Sequence, residues 1–538
     1  MQSEWRGQSN ERPRKCQGLN EEADLEPVYA QICSHESAIS IIDEEIGGLM
    51  RTIRQLQFRK WEHNEGIRHC KGLITLARRL PCEILANIFE ICIRDGYTRT
   101  PLVVSRVCSQ WRRAASIPSV WSHIYVDFDG RDPCGRTGFW LEKARNSFLD
   151  ITLEIRQEQS KLPEVVGLLL GKRLQWRRLT INSSFLAEIN RALVMCTGPL
   201  PEFRALDVSV QEFPDSNGQI EENGTRELIG LRTAFLEAPR FSTIRITRNI
   251  LPAQNILPPS VTSLSLVLPS HHISLGLSMF SVLSILEELH HLEVFSMVLP
   301  PGQARHFDPD DDVGHLAILP RLVSLTLAGW PDINHLLPHL VASALKVLHL
   351  RSSDDLFGTP DEGTGRCLLQ FLEYSSPPLE ELELRDADMP APYFIQCFAR
   401  MNRLKALRLH ESEISDLVLA ELFGPRGLCP SLSTLDMRWC GHFRGRTLVD
   451  MIRSRVQPPA TNIQDTVRSV CTSISKVTVI NCSFVQKRDI ADLAMLTLCQ
   501  VVVVDPDDYC RAVGCCVNDR YRKRLAMEGF GRVGRLVL

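Results

Sequence analysis

The chain has 538 residues, a length that accommodates roughly three or four domains of ordinary size or one long repeat array. Hydrophobic residues make up 44% and charged residues 23%, which excludes a mostly disordered, collagen-like or mucin-like protein and leaves enough apolar material for a sizeable core. With 61 basic and 64 acidic residues the net charge is −3, so the overall balance gives no pull toward nucleic acid or an anionic membrane, and neither is expected as a partner.

Residues 1–35 read as a disordered N-terminus: the first thirty are polar, mixed in charge and without the apolar core of a secretory signal. The strongest candidate for a membrane span, Leu493 to Val504, is interrupted by Gln500 and falls short of the ~18 apolar residues a span needs. Eighteen cysteines lie scattered without a CxxC pair, so a reducing cytoplasmic or nuclear compartment is expected, with mostly free and buried thiols. The sequons at Asn182, Asn223 and Asn481 would matter only in a secreted protein.

From Ile39 the apolar residues fall at Ile39, Ile42, Ile46, Leu49, Ile53 and Leu56, in alternating steps of three and four. Asp43, Glu44, Arg51 and Arg54 take the other faces. The seam weakens at Lys60 and His63 and resumes at Ile67, Cys70 and Ile74, which predicts a helix over residues 36–76 that Gly47 and Gly48 weaken. Two readings fit the spacing equally: a helix packed on its own domain, and a coiled coil with another chain.

Pro81 suits the first turn of a second helix, and Ile84, Leu85, Ile88, Phe89 and Cys92 form an apolar stripe that ends at Asp95-Gly96. A third helix is signalled by Thr100 as N-cap with Pro101 behind it, by Val103, Val107 and Trp111 in steps of four, and by Pro118 as its stop. Two short amphipathic helices cannot bury Phe89, Trp111 and Trp121 by themselves, so they pack on each other or on a partner.

The ordered run Leu80-Pro81, Glu83-Ile84-Leu85, Ile88-Phe89, Val107-Cys108, Trp111-Arg112, Ala115 and Trp121 resembles an F-box, whose pattern is LP-x-E-[IL]-[IL]-x-x-[IV]-F, then V-C-x-x-W-[RK] and a closing W. The resemblance covers some fifty residues and implies a small helical module, residues 78–125, that docks on the Skp adaptor and through it on the cullin of a ubiquitin ligase. It places Leu80, Pro81, Ile84, Leu85 and Ile88 at the adaptor interface. Val107, Cys108 and Trp111 are shared between that interface and the core of the module. The preceding heptad helix is similar to the N-terminal arrangement of a large fungal F-box family.

Beyond residue 126 the template L-x-x-L-x-L recurs, cleanly at Leu322, Leu345, Leu379, Leu404 and Leu432, and with wider apolar substitution elsewhere. Its middle apolar position falls at Ile151, Leu179, Leu206, Ile244, Leu264, Phe295, Leu325, Leu348, Leu382, Leu407, Leu435 and Val477, at intervals averaging about 30 residues. The matches at Phe241 and Leu292 are the least regular. The best unit, from Leu404, resembles the cysteine-type leucine-rich repeat of F-box proteins. Cys440 and Cys482 fall on its cysteine position, where a small buried side chain closes the turn out of the strand.

The expected fold is therefore α/β: an N-terminal helix, a small helical F-box module, and an irregular leucine-rich-repeat solenoid over residues 126–505. Each unit contributes one strand, with leucines turned inward and intervening residues on the concave side. That alternation puts His349, Arg351, Glu381, Glu383, Arg385, Arg408, His410, Asp436 and Arg438 on one face, as solvated charges or as the contact surface for a target protein. The acidic loop Asp308 to Asp312 lacks the glycine and closing glutamate of a calcium loop and reads as a solvated insertion. Val501 to Val504 supplies a last strand, and residues 506–538 form a basic tail or cap.

No catalytic motif emerges. Gly529, Gly531 and Gly534 spell G-x-G-x-x-G without room for a following helix, and His271-His272 and His290-His291 lack ligand partners at helical spacing. The expectation is a non-enzymatic chain without cofactor or metal: the substrate-recognition subunit of a Skp-cullin-F-box ligase. The alternative is a leucine-rich-repeat interaction scaffold whose F-box is vestigial or serves no ligase. An unrecognised hydrolase or transferase would need a pocket with a nucleophile and an oriented base.

Overall fold

The seam that begins at Ile39 lies on a single α-helix, α1, Glu26–Ile74, in a computed structural model of the chain. The structure describes residues 26–74, 80–157, 159–210, 228–247, 257–267, 279–299, 316–329, 331–352, 362–387, 389–412, 414–424, 426–456, 471–480, 482, 484–502 and 536–537. Residues 26–35, expected as part of a disordered segment, are helical because Val28, Ile32 and His35 continue the same spacing upstream. Glu26 in the first turn and Lys71 in the last complement the helix dipole. The chain forms two units, Met1–Leu85 and Ala86–Leu538, each described by itself below.

The larger unit opens with the rest of helix α2 (Cys82–Arg94), followed by α3 (Thr100–Val104), α4 (Ser109–Ala115) and a 3-10 turn at Pro118–Trp121. The single helix expected across Val103, Val107 and Trp111 is two helices. Ser105 Oγ donates to Leu102 O at 2.8 Å, and Cys108 adopts an extended backbone with φ −158°. Thr100 is not the cap but the first helical residue of α3, and its hydroxyl donates to Tyr97 O at 2.6 Å.

Seventeen strands follow among the described residues: β1 (His123–Asp127), β2 (Leu149–Ile155), β3 (Trp176–Ser183), β4 (Ala205–Val210), β5 (Thr243–Thr247), β6 (Ser263–Val267), β7 (Val294–Val298), β8 (Ala317–Ile318), β9 (Ser324–Gly329), β10 (Leu340–Val341), β11 (Val347–Ser352), β12 (Glu381–Arg385), β13 (Ala406–His410), β14 (Thr434–Arg438), β15 (Lys476–Ile480), β16 (Leu498–Val502) and β17 (Leu536–Val537). Apart from β8 and β10, which pair with each other, they form one sheet in sequence order. Every neighbouring pair from β1 to β16 is parallel, and β17 runs antiparallel along β16.

The register has a simple origin. Each middle residue of the L-x-x-L-x-L template is the partner of the next one: Ile151 with Leu179, Leu179 with Leu206, and so on through Leu435 with Val477. The least regular matches obey the same rule, for Ile244 pairs with Leu264 and Phe295 with Leu325. A one-residue slip would turn each leucine row outward, so burial of that row sets the register. Two further strands extend the series: β1 through Ile124 with Ile151, and β16, at Leu498–Val502 instead of Val501 to Val504, through Val477 with Cys499.

Helices α5 (Pro133–Ala144), α6 (Leu162–Leu170), α7 (Leu186–Met195), α8 (Met279–Glu288), α9 (Glu362–Ser375), α10 (Ala391–Arg400), α11 (Asp416–Ala420), α12 (Gly445–Val456) and α13 (Lys487–Leu496) connect the strands. Successive ones pack side by side: α5 on α6, α6 on α7, and α9 through α13 in turn. Where a helix would disagree with the sequence a 3-10 segment replaces it, as at Pro331–His339 with Pro338 inside. Phe203, Phe235 and Phe241 are fully buried and mutually packed, with the Phe203 and Phe235 rings stacked at 4.4 Å.

The turn out of the strand repeats as well. Asp386, Glu411 and Trp439, each directly after β12, β13 or β14, have φ of 49°, 54° and 60°, in the left-handed region. Their N–H groups donate to His410 O, Arg438 O and Ile480 O at 2.8, 2.7 and 2.8 Å, which extends each ladder by one bond and holds the strained residue in place.

Candidate functional site

Helix α2 carries apolar residues on two faces. Leu85, Ala86, Phe89 and Ile93 are buried, whereas Ile84, Ile88 and Ile91 are 44%, 40% and 51% exposed along a second stripe at helical spacing. Val103 and Val107 are also exposed, at 61% and 57%. The Phe89 ring lies 5.2 Å from that of Trp111, and Trp121 donates from Nε1 to Ala115 O at 2.6 Å. Trp121 also meets Trp140 of α5 edge-on at 5.2 Å.

The eight residues assigned to an adaptor interface therefore divide. Pro81, Ile84, Ile88 and Val107 are exposed, Leu80, Cys108 and Trp111 are half-buried, and Leu85 is core, at 1% exposure. Leu85 is removed from the surface assignment because nothing of it is left for a partner to touch. Ile91 and Val103, equally exposed, were not among the eight. The signal for Ile91 was present: Ile84, Ile88 and Ile91 are spaced four and three apart, separately from Leu85 and Phe89.

The second candidate surface lies on β11 to β14, where all nine charged residues of the strand face come together. Register places His349 opposite Glu383, Glu383 opposite Arg408 and Arg408 opposite Asp436, a row in which basic and acidic side chains alternate. The next row, Arg351, Arg385, His410 and Arg438, holds only basic side chains. Glu381 flanks the first row, accepting from His349 Nε2 at 3.1 Å and from Arg408 Nη1 at 2.9 Å.

Two carboxylates anchor the network from below. Glu383 accepts from Arg351 Nε and Nη2 at 2.7 and 3.1 Å, with Arg408 3.8 Å away. Asp436 accepts from Arg438 Nε and Nη2, both at 2.9 Å, and stands 3.8 Å from His410 Nε2. Burial alone would raise the Glu383 carboxyl, but the hydrogen bonds and charge of Arg351, with the nearby histidines, outweigh it and hold it below its ordinary value. The same contest at Asp436, decided by His410 and Arg438, brings its pKa down to about 2. Both acids are buried, at 4% and 8% exposure, while the Arg351 and Arg408 side chains are 33% and 39% exposed. The guanidinium groups are the most exposed part of this face, with Glu381 between them at 26% exposure.

Cys440 and Cys482 occupy equivalent positions after β14 and β15 and are buried. Each thiol donates to a strand carbonyl of the preceding unit, Cys440 Sγ to Leu409 O at 3.3 Å and Cys482 Sγ to Met437 O at 3.5 Å. Hydrogen bonding to Cys482, together with burial, pushes the Cys440 thiol well above its ordinary pKa. Among the described residues no group of three or more His, Cys, Asp or Glu side chains is placed to hold a metal ion. No described helix is long and apolar enough to cross a membrane. Asp308 to Asp312, His271-His272 and the glycines 529, 531 and 534 lie outside the described residues, as does the tail apart from Leu536–Val537.

A family model described as F-box-like matches residues 77–127, ending on the last residue of β1. No curated protein matches the chain. Among solved structures, a chain from the crystal structure of the Rad7 and Elc1 complex in yeast is similar at 12% identity and a TM-score of 0.36, over 83% of this chain and 97% of that one.

Proposed function

We propose that the chain is the substrate-recognition subunit of a Skp-cullin-F-box ubiquitin ligase, non-catalytic itself, whose repeats form a leucine-rich-repeat solenoid that holds a target protein. The observation that carries this reading is the F-box-like match at residues 77–127 joined to the exposed Ile84, Ile88 and Ile91 stripe of α2. A helix that has already buried one apolar face and still exposes another is built to be covered by a second protein.

The target surface in this reading is the strand face of β11 to β14. Glu383 and Asp436 lie beneath its arginines, with Glu381 partly exposed among them, so an approaching partner meets mainly forked, permanently charged donors, which suit an acidic segment. The chain then works by proximity: it raises the local concentration of target near a ubiquitin-loaded enzyme on other subunits. The compartment of this work is the cytoplasm or the nucleus.

Co-purification with the Skp adaptor tests the reading, comparing wild type, Leu80→Ala/Pro81→Ala, and a charge swap of Glu383 and Arg385. Stoichiometric capture lost only in the Leu80/Pro81 variant is the expected result. A well-folded wild-type chain that captures no adaptor would leave an interaction scaffold as the surviving interpretation.

A further inference from the structure

Nine apolar side chains of α1, from Val28 to Ile67, are each between 42% and 59% exposed and fall on two positions of one heptad frame. Position a holds Ile32, Ile39, Ile46, Ile53 and Ile67; position d holds Ile42, Leu49 and Leu56 besides Val28. The frame runs without insertion or deletion from Val28 to Cys70. A straight α-helix drifts about 20° per heptad against such a repeat, so over six heptads this seam winds by about 120° around the helix. A globular surface cannot follow that path, whereas a second supercoiled helix with the same repeat does.

We infer that α1 pairs with α1 of a second copy of this chain as a parallel, in-register, two-stranded coiled coil. Isoleucine at a with leucine at d, as in Ile46, Leu49, Ile53 and Leu56, favours two strands in parallel. Lys60 is the one polar residue at position a, the device by which coiled coils fix register and strand number, since three or four ammonium groups would converge in a larger bundle. The flanking g and e positions suit self-pairing too. Across the parallel interface Glu45 meets Met50, Arg59 meets Asn64, and Lys71 meets Gly66, so no like charges are opposed. At roughly 80 Å² for each half-exposed seam residue, two copies remove about 1,400 Å² from water, within the ~1,200–2,000 Å² of specific stable interfaces.

Two exposed cysteines make the geometry readable. Cys70 sits at d, on the axis, facing its counterpart in a parallel pair, and Cys33 sits at b, pointing away. The full chain is examined by sedimentation equilibrium and, separately, by copper-catalysed air oxidation with peptide mapping of the disulfides. The expected results are a dimer mass, a Cys70 to Cys70 link that is lost in Cys70→Ser and kept in Cys33→Ser, and a monomer mass for Ile46→Asp/Ile53→Asp with an unchanged thermal transition. Lys60→Ile moves the other way, lowering the dissociation constant at least tenfold. A wild-type monomer at micromolar concentration, a dimer that survives Ile46→Asp/Ile53→Asp, or a dimer that forms no Cys70 to Cys70 link would each overturn the inference.

Discussion

Arg351 does not bond straight across the sheet: its register partner is Arg385, and its guanidinium instead reaches diagonally to Glu383, donating at 2.7 and 3.1 Å. Like charges placed directly opposite on neighbouring strands repel, and the diagonal bond places a carboxylate between them. Glu383 is nearly enclosed, so removing it leaves Arg351 without the carboxylate it donates to, while Arg408 keeps Glu381. We expect Glu383→Ala to lower stability by about 3 kcal/mol and Arg351→Ala, whose side chain is partly hydrated, by about 1 kcal/mol. Urea denaturation of both single variants and the double variant gives the coupling between them, which vanishes if the diagonal pair is not formed.

Asp436 predicts how the array responds to acid. Its folded pKa of about 2 lies below the unfolded value near 3.9, so its contribution is complete above about pH 5 and is lost as pH falls through 2. The contribution at neutral pH is about 2 kcal/mol. Stability measured between pH 2 and pH 6 should therefore fall less steeply in Asp436→Asn than in wild type; equal slopes would show that the carboxylate is not held by His410 and Arg438.

Leu85 and Ile88 are neighbours on one helix with opposite environments, at 1% and 40% exposure. Leu85→Ala is expected to destabilise by about 3 kcal/mol through the cavity it leaves. Ile88→Arg should stay within about 0.5 kcal/mol of wild type yet abolish capture of the adaptor. Thermal denaturation and pull-down of the same two proteins separate the roles.

Arg455 is buried at 3% exposure in α12 and donates to Leu422 O at 2.9 Å, to Cys429 O at 3.1 Å and to Leu428 O. One side chain thus satisfies three carbonyls of the loop between β13 and β14. Arg455→Met keeps the volume and removes every donor, at an expected loss of about 3 kcal/mol; Arg455→Lys, a point charge without the planar fork, recovers only part of it. A denaturation midpoint for Lys equal to that of Arg would contradict the forked contact.

The repeat period was legible because a row of leucines must be buried at every unit, and the twelve residues marked in the sequence are successive register partners. Strand β1 escaped and β16 was placed three residues late, at Val501 to Val504: β1 grows out of the helical module, and β16 ends its unit with Cys499 in place of a leucine. The steps of four from Val103 to Trp111 misled, since spacing alone does not reveal that Cys108 is extended. The nine charged residues were placed on one face by alternation. Which of them are buried was not legible, because burial of Glu383 and Asp436 depends on arginines that arrive from neighbouring strands or two residues away.

Only Ser122 separates Trp121, the last aromatic of the helical module, from the first residue of β1. Trp121 itself packs edge-on against Trp140 of α5, which ties the junction to the first repeat. Strands advance by about 4.8 Å across a sheet, and eight to eleven steps separate β1 from β11 through β14, so the basic row stands about 40–50 Å along the sheet from that junction. Distance from the junction is thus set by a count of units: deleting one of them would shorten it by a fixed increment and turn every later strand through one step of twist, moving the basic row without altering a single one of its residues.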